Sequence, residues 1–145
     1  MRFPTLITDE RARPIIPLIL MSPAGERVLV DALVDTGADI TLFSETVAKA
    51  LSVDLTDVPE SPIRTPLGHA GTYRAVELSL ELRRRPDVLQ WRGTVGFVSP
   101  RLTYGLLGTR GFFEFFSIHY DASQQFLEIL PSGTASKTTS RPHIA

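Results

Sequence analysis

The chain has 145 residues, 43% hydrophobic and 21% charged, the balance of one soluble globular domain. Fifteen basic against sixteen acidic side chains leave a net charge of −1, which argues against a nucleic acid or an anionic membrane surface as partner. Cysteine is absent, so disulfides, thiolate metal sites and a thiol nucleophile are excluded.

Met1 to Arg13 has no continuous apolar segment behind a basic start, so it reads as an N-terminal extension and not as a secretory signal. The apolar run Ile15 to Met21 is interrupted by Pro17 and is too short to span a bilayer. A soluble, cytoplasmic protein is the expectation. Eleven prolines and ten glycines cut the chain into short apolar runs, which favours strands and an all-β fold. Ile15 to Met21 and Val28 to Val34 flank Ser22-Pro23-Ala24-Gly25-Glu26 and predict a hairpin. Ile40 to Phe43 predicts another strand, and Ser44 a cap for a short helix ending near Leu51. Ile63 to Thr65, a turn over Pro66 to Gly71, and Tyr73 to Leu82 predict a longer hairpin. In its second arm Val76, Leu78, Leu80 and Leu82 alternate with Glu77, Ser79, Glu81 and Arg83, giving one dry and one wet face. Arg83-Arg84-Arg85 reads as the wet end of that hairpin. Val88 to Val98 and Gly105 to Gly108 predict two more strands, Gly111 to Phe116 a helical turn or two, and Ile118 to Tyr120 with Phe126 to Leu130 a last hairpin. The phenylalanines of 112–116 read as core or dimer packing. From Pro131 to Ala145 polar residues without periodicity predict a disordered tail. The histidines, His69, His119 and His143, are far apart in the chain, and neither a metal site nor any other cofactor is expected.

Residues 33–43 carry the chemistry. Asp35 follows the apolar run Ala32-Leu33-Val34, and Thr36, Gly37 and the second apolar stretch Ile40 to Phe43 come after it. A carboxylate at the end of a buried strand is costly, which makes it a candidate for function. Gly37 allows a tight turn and close approach of a ligand or second chain, and the Thr36 hydroxyl can steady that turn.

Asp35-Thr36-Gly37-Ala38-Asp39, the glycine-bearing hairpin at 66–72, Leu106-Leu107-Gly108 and the Gly111-to-Phe116 segment running to Asp121 together resemble the retropepsin-like (retroviral-type) aspartic protease family, in its bacterial single-domain form, over residues 14–130. The resemblance implies a closed, barrel-like all-β fold with one or two short helices. It also implies peptide-bond hydrolysis by two aspartates that share a proton. One would activate water while the other polarises the carbonyl. The chain holds a single Asp-Thr-Gly and no Asp-Ser-Gly, so the second Asp35 is expected from an identical subunit across a twofold axis. The resemblance makes Asp35 catalytic and Thr36 and Gly37 its support. Asp39 is the family's second acidic position, and Arg110, one place later than the usual arginine, is expected to reach it. Ala38, Ile40 and Leu42, the hairpin residues Leu67, Gly68 and Gly71, and Tyr104 and Leu106 are the expected substrate contacts. The alternative is a non-catalytic module of the same fold, used for dimerisation or peptide binding.

Overall fold

The computed structural model describes residues 1–8, 10–99, 101–133 and 136–139. Three short strands open the chain: β1 (Arg2–Pro4), β2 (Leu6–Thr8) and β3 (Arg11–Arg13). The predicted hairpin follows as β4 (Ile15–Met21) and β5 (Arg27–Val34). Its period of two puts Ile16, Leu18 and Leu20 in the core. At the turn, Gly25 takes a φ of +90°, which an L side chain rarely adopts, and the Ser22 hydroxyl accepts the Glu26 N–H at 3.1 Å. The chain continues through β6 (Thr41–Ser44), the helix α1 (Glu45–Ala50), β7 (Glu60–Thr65), β8 (Gly68–Arg84), β9 (Asp87–Val98) and β10 (Gly105–Leu107). It ends with β11 (Phe116–Asp121), β12 (Phe126–Pro131) and β13 (Ser136–Thr139).

The main sheet runs β13-β9-β6-β10-β5-β4-β8-β7, and β9 pairs with β8 as well, so the middle of the sheet closes on itself. Closure reduces the free edges of the strands in the ring, although β10 pairs with only Ala32 to Val34 of β5. The fold is all-β and barrel-like, as expected. Its core is built on Trp91, whose ring meets Phe116 edge-on at 4.7 Å and Phe112 at 6.0 Å, and whose indole N–H donates to the Gly111 carbonyl at 2.7 Å. Each fully buried aromatic ring of this kind contributes about 1.5–3 kcal/mol. Phe112 and Phe116 are thus core residues.

Several elements differ from expectation. Gly111 to Phe116 is a run of turns and not a helix, because Phe113 and Glu114 donate to Gly108 and Thr109, five residues back. Ser44 stands at the N-cap of α1, yet its hydroxyl makes no cap bond; it accepts the Leu102 N–H at 2.7 Å. The long hairpin turns over Pro66 and Leu67 alone, since Thr65 already pairs with Gly68. Phe3, inside the expected N-terminal extension, is 2% exposed in the core, and β1 pairs with β12. Ser136–Thr139, inside the expected disordered tail, pair with Asp87–Gln90 of β9, where the strand edge supplies backbone partners to a polar segment. Residues 134–135 and 140–145, with His143, lie outside the described residues.

Glu81 corrects the reading of β8's wet face, because it is buried. Arg27 donates to its Oε1 at 3.2 Å, and Arg83 and Gln90 donate to it from either side. Burial pushes the Glu81 carboxyl up, but the hydrogen bonds from Arg83 and Gln90 and the charges of Arg83 and Arg27 outweigh it and hold it below its ordinary 4.5. A carboxyl depressed in the folded state binds fewer protons there than in the unfolded chain. Its stabilisation is therefore full above the ordinary value and is lost as pH falls through the folded one. Glu81→Gln is expected to lower Tm at neutral pH and to flatten its decline between about pH 5 and 3. Thermal melts across that range check it, and parallel Tm profiles for the two proteins would refute it.

Candidate active site

Three strands meet where Asp35 leaves the barrel. β10 lies between β5 and β6, parallel to the first through Gly105↔Ala32, Leu106↔Leu33 and Leu107↔Val34, and antiparallel to the second through Leu106↔Leu42. The ladder ends with the Asp35 N–H donating to the Leu107 carbonyl at 3.0 Å. The chain then turns: the Ala38 N–H donates to the Asp35 carbonyl at 3.1 Å, and the Gly37 N–H to Asp35 Oδ1 at 2.9 Å. This bond to the carboxylate holds the side chain in one orientation over the turn. A Cβ at Gly37 would stand 3.3 Å from Asp35 Oδ1, so glycine keeps that approach open. Asp35 is half-buried, and Thr36 and Gly37 are exposed beside it.

Gly108 locks the turn from beneath. A Cβ there would come within 2.7 Å of the carbonyls of Ala38 and Ile40, so only glycine lets the two backbones touch. The Gly108 N–H donates to the buried hydroxyl of Thr41 at 3.1 Å, and Thr109 N–H donates to the Ala38 carbonyl at 2.9 Å. Asp39 and Arg110 do come together, but through the main chain: the Arg110 N–H donates to the Asp39 carbonyl at 2.9 Å. Among the described residues no ion pair joins their side chains, and both are exposed. The one-residue shift of the arginine puts it at the bridge opposite Ile40.

A cleft of about 420 Å³ opens above this turn. Asp35, Gly37, Ala38 and Asp39 form one side, Ile40, Leu42 and Leu106 the floor, and β7 from Pro62 to Thr65, with Pro66 and Tyr73, the other side. The floor belongs to a small apolar cluster of Ile40, Leu42 and Val98 with Ile63, Tyr73 and Leu106 packed against it. Ala38, Ile40, Leu42 and Leu106 thus line one cleft with Asp35. Leu67, Gly68 and Gly71 do not line the cleft; they sit at the hairpin tip, where the Leu67 side chain is fully exposed. Tyr104 lines a second cavity instead, because it stands in the bend before β10 begins at Gly105, where the alternation of the strand does not yet hold.

Sequence reasoning missed Thr41, Ile63 and Tyr73. A signal for Tyr73 was present: Gly96 interrupts the apolar run of β9, and its missing side chain is the space taken by the Tyr73 ring and Leu42. Among the described residues no group of three or more His, Asp or Glu side chains could hold a metal ion, and no helix is long and apolar enough to cross a membrane.

No family model matches the chain, and no curated protein matches it in sequence. Among solved structures it is similar to the crystal structure of a retropepsin-like aspartic protease from Rickettsia conorii. The two share 20% identity over 89% of this chain and 90% of that chain, with a TM-score of 0.59. The chain therefore has an all-β fold of the retropepsin-like aspartic protease type.

The support of the turn by Thr41 is open to measurement. Thr41→Val strands the buried Gly108 N–H and is expected to cost about 1–3 kcal/mol in chemical denaturation. Thr41→Ser, which keeps the oxygen, should recover most of that loss. Equal stability of all three proteins would remove the hydroxyl from the account.

Proposed function

We propose that the protein is an aspartic endopeptidase that works as a homodimer, with one Asp35 from each subunit activating the attacking water. The observation that carries this reading is the placement of Asp35: half-buried, bonded to the Gly37 N–H, and set at the wall of a cleft with an apolar floor. One carboxylate of that kind is half of an acid–base pair. A twofold axis beside the exposed Thr36 and Gly37 supplies the other half from an identical chain. Two carboxylates brought so close share one proton over a broad pH range, and the titration belongs to the pair. The ionised member takes a proton from water while the protonated member donates to the substrate carbonyl. Thr36 steadies the paired turns across the axis. The floor of Ile40, Leu42 and Leu106 favours apolar side chains beside the scissile bond.

A second reading has one observation in its favour: the missing side-chain ion pair between Asp39 and Arg110. On that reading the same cleft binds extended peptides without cutting them.

Asp35→Asn is expected to lower kcat/KM for peptide cleavage between about pH 4 and 7 by at least about a hundredfold, with peptide binding retained. A statine-type inhibitor should protect the wild-type substrate to the same extent. Undiminished cleavage by the variant would exclude Asp35 as the acid–base group, and binding without cleavage by the wild type would favour the second reading. Specific activity should also fall on dilution, in step with the dimer fraction from sedimentation.

A further inference from the structure

The strand that carries Asp35 is longer than the strand that covers it. β5 has eight residues and is paired along its whole length with β4 on one side. On the other side β10 has three residues and reaches only Ala32 to Val34. The stretch of β5 before Ala32 therefore has an open edge facing away from β4.

The direction of its backbone groups follows from two bonds. The Val34 N–H donates towards β4, to the Pro14 carbonyl at 2.8 Å, and the Asp35 N–H donates towards β10. Groups alternate along an antiparallel pair. Val28, Val30 and Ala32 thus bond β4, while Leu29, Asp31 and Leu33 point N–H and C=O the other way. Leu33 meets β10; among the described residues nothing meets Leu29 or Asp31. Pro17 fits the same alternation, because it stands opposite Asp31 at a position that needs no N–H towards β5.

This edge does not simply face solvent. It borders a cavity of about 510 Å³, separate from the catalytic cleft, walled by Val30 and Asp31, by Thr46 and Val47 of α1, and by Thr103 and Tyr104 of the loop that leads into β10. The cavity is the slot that β10 would fill if it were longer. Leu29, just outside it on the same edge, is 71% exposed, and the exposed Asp31 carboxylate is in no ion pair among the described residues. Arg101 lines it as well.

We propose that this slot binds an extended peptide strand, which lies in line with β10 and pairs with the outward N–H and C=O groups of Leu29 and Asp31. Strand addition gives affinity through the backbone, and alternate side chains give selectivity. Leu29 and Asp31 share one face of β5, so the incoming strand places an apolar residue beside Leu29 and, two positions away, a basic residue beside Asp31. Asp31 precedes Asp35 by four residues, about 13 Å along the strand, so the slot is a site apart from the cleft. The proposal does not depend on whether Asp35 cleaves peptides.

The test uses the full chain, with a statine-type inhibitor saturating the cleft, and the labelled probe acetyl-Thr-Val-Thr-Lys-Thr-amide. Fluorescence anisotropy should show saturable binding, and amide exchange should show the Leu29 and Asp31 N–H groups fast in the free protein and slowed by the probe. Of two probes N-methylated on alternate amides, one should lose binding and the other keep it. Asp31→Lys should weaken the lysine probe at least about tenfold and favour its glutamate counterpart. Asp31→Asn, which keeps the backbone, separates loss of charge from loss of fold. The proposal is overturned if the probe does not saturate, if both methylated probes bind alike, or if the slowed amides fall only in residues 62–73 of the cleft. It is overturned equally if Leu29 and Asp31 are already slow without probe, including slowing that grows with protein concentration, which would make the occupant a second copy of the chain.

Discussion

A three-residue strand wedged between two others sets the geometry of everything around Asp35. β10 pairs in opposite senses with β5 and β6, and it does so because glycine ends it on both sides. At Gly108 an added Cβ would strike two backbone carbonyls; at Gly105 it would strike the Phe43 ring at 2.3 Å. Neither neighbour can yield cheaply, since one is main chain and the other a fully packed aromatic side chain. The consequence runs outward. With β10 in place, Asp35 is pulled to the end of its ladder, Ala38 and Ile40 are held against Gly108, and Leu106 is presented to the cleft floor.

The polar groups divide into those the single chain completes and those it leaves open. Glu81 is an expensive burial made good by Arg83 on its own strand, Gln90 on β9 and Arg27 on β5. Arg74 is likewise consumed by Glu45, Glu60 and the Val58 carbonyl. Asp35 is different: one oxygen accepts Gly37, and no cation approaches it among the described residues. Asp39 and Arg110 are left open as well. Three charges that make no ion pair among the described residues thus lie around one turn, which is where a second subunit and a substrate are needed in the proposed mechanism.

Much of this was legible in the sequence, for identifiable reasons. The Ile15–Val34 hairpin, the alternation of β8 and the Asp-Thr-Gly turn each rest on local rules, a period of two or a residue type with one conformational use. The cleft residues Ala38, Ile40, Leu42 and Leu106 followed from their places next to the two motifs. What failed was what depends on distant partners. Glu81 looked wet because its covering arginines lie on other strands or beyond its own position. Tyr104 looked like a cleft residue because it lies two positions from Leu106, but it belongs to the bend before β10 and not to the strand. Ser44 looked like a cap, but a loop 58 residues away in sequence claims its hydroxyl. The Gly111-to-Phe116 segment suggests a helical turn, while the packing of Phe112 and Phe116 around Trp91 goes with a run of turns.

The same short strand explains both ends of β5. At the Asp35 end, β10 must reach Leu107 to hold the turn, and it must stop at Gly108 because the backbones there leave no room for a side chain. At the other end nothing requires β10 to match the eight residues of its neighbour, and the loop from β9 crosses over Ser44 before β10 begins. A strand pinned at one end and cut short at the other leaves the outward backbone groups of Leu29 and Asp31 without partners among the described residues, and unpaired strand groups are readily bonded by another strand. The demand for a rigid aspartate turn therefore has a structural by-product on the far side of the barrel wall, where an edge beside Leu29 and Asp31 is ready to take a further strand.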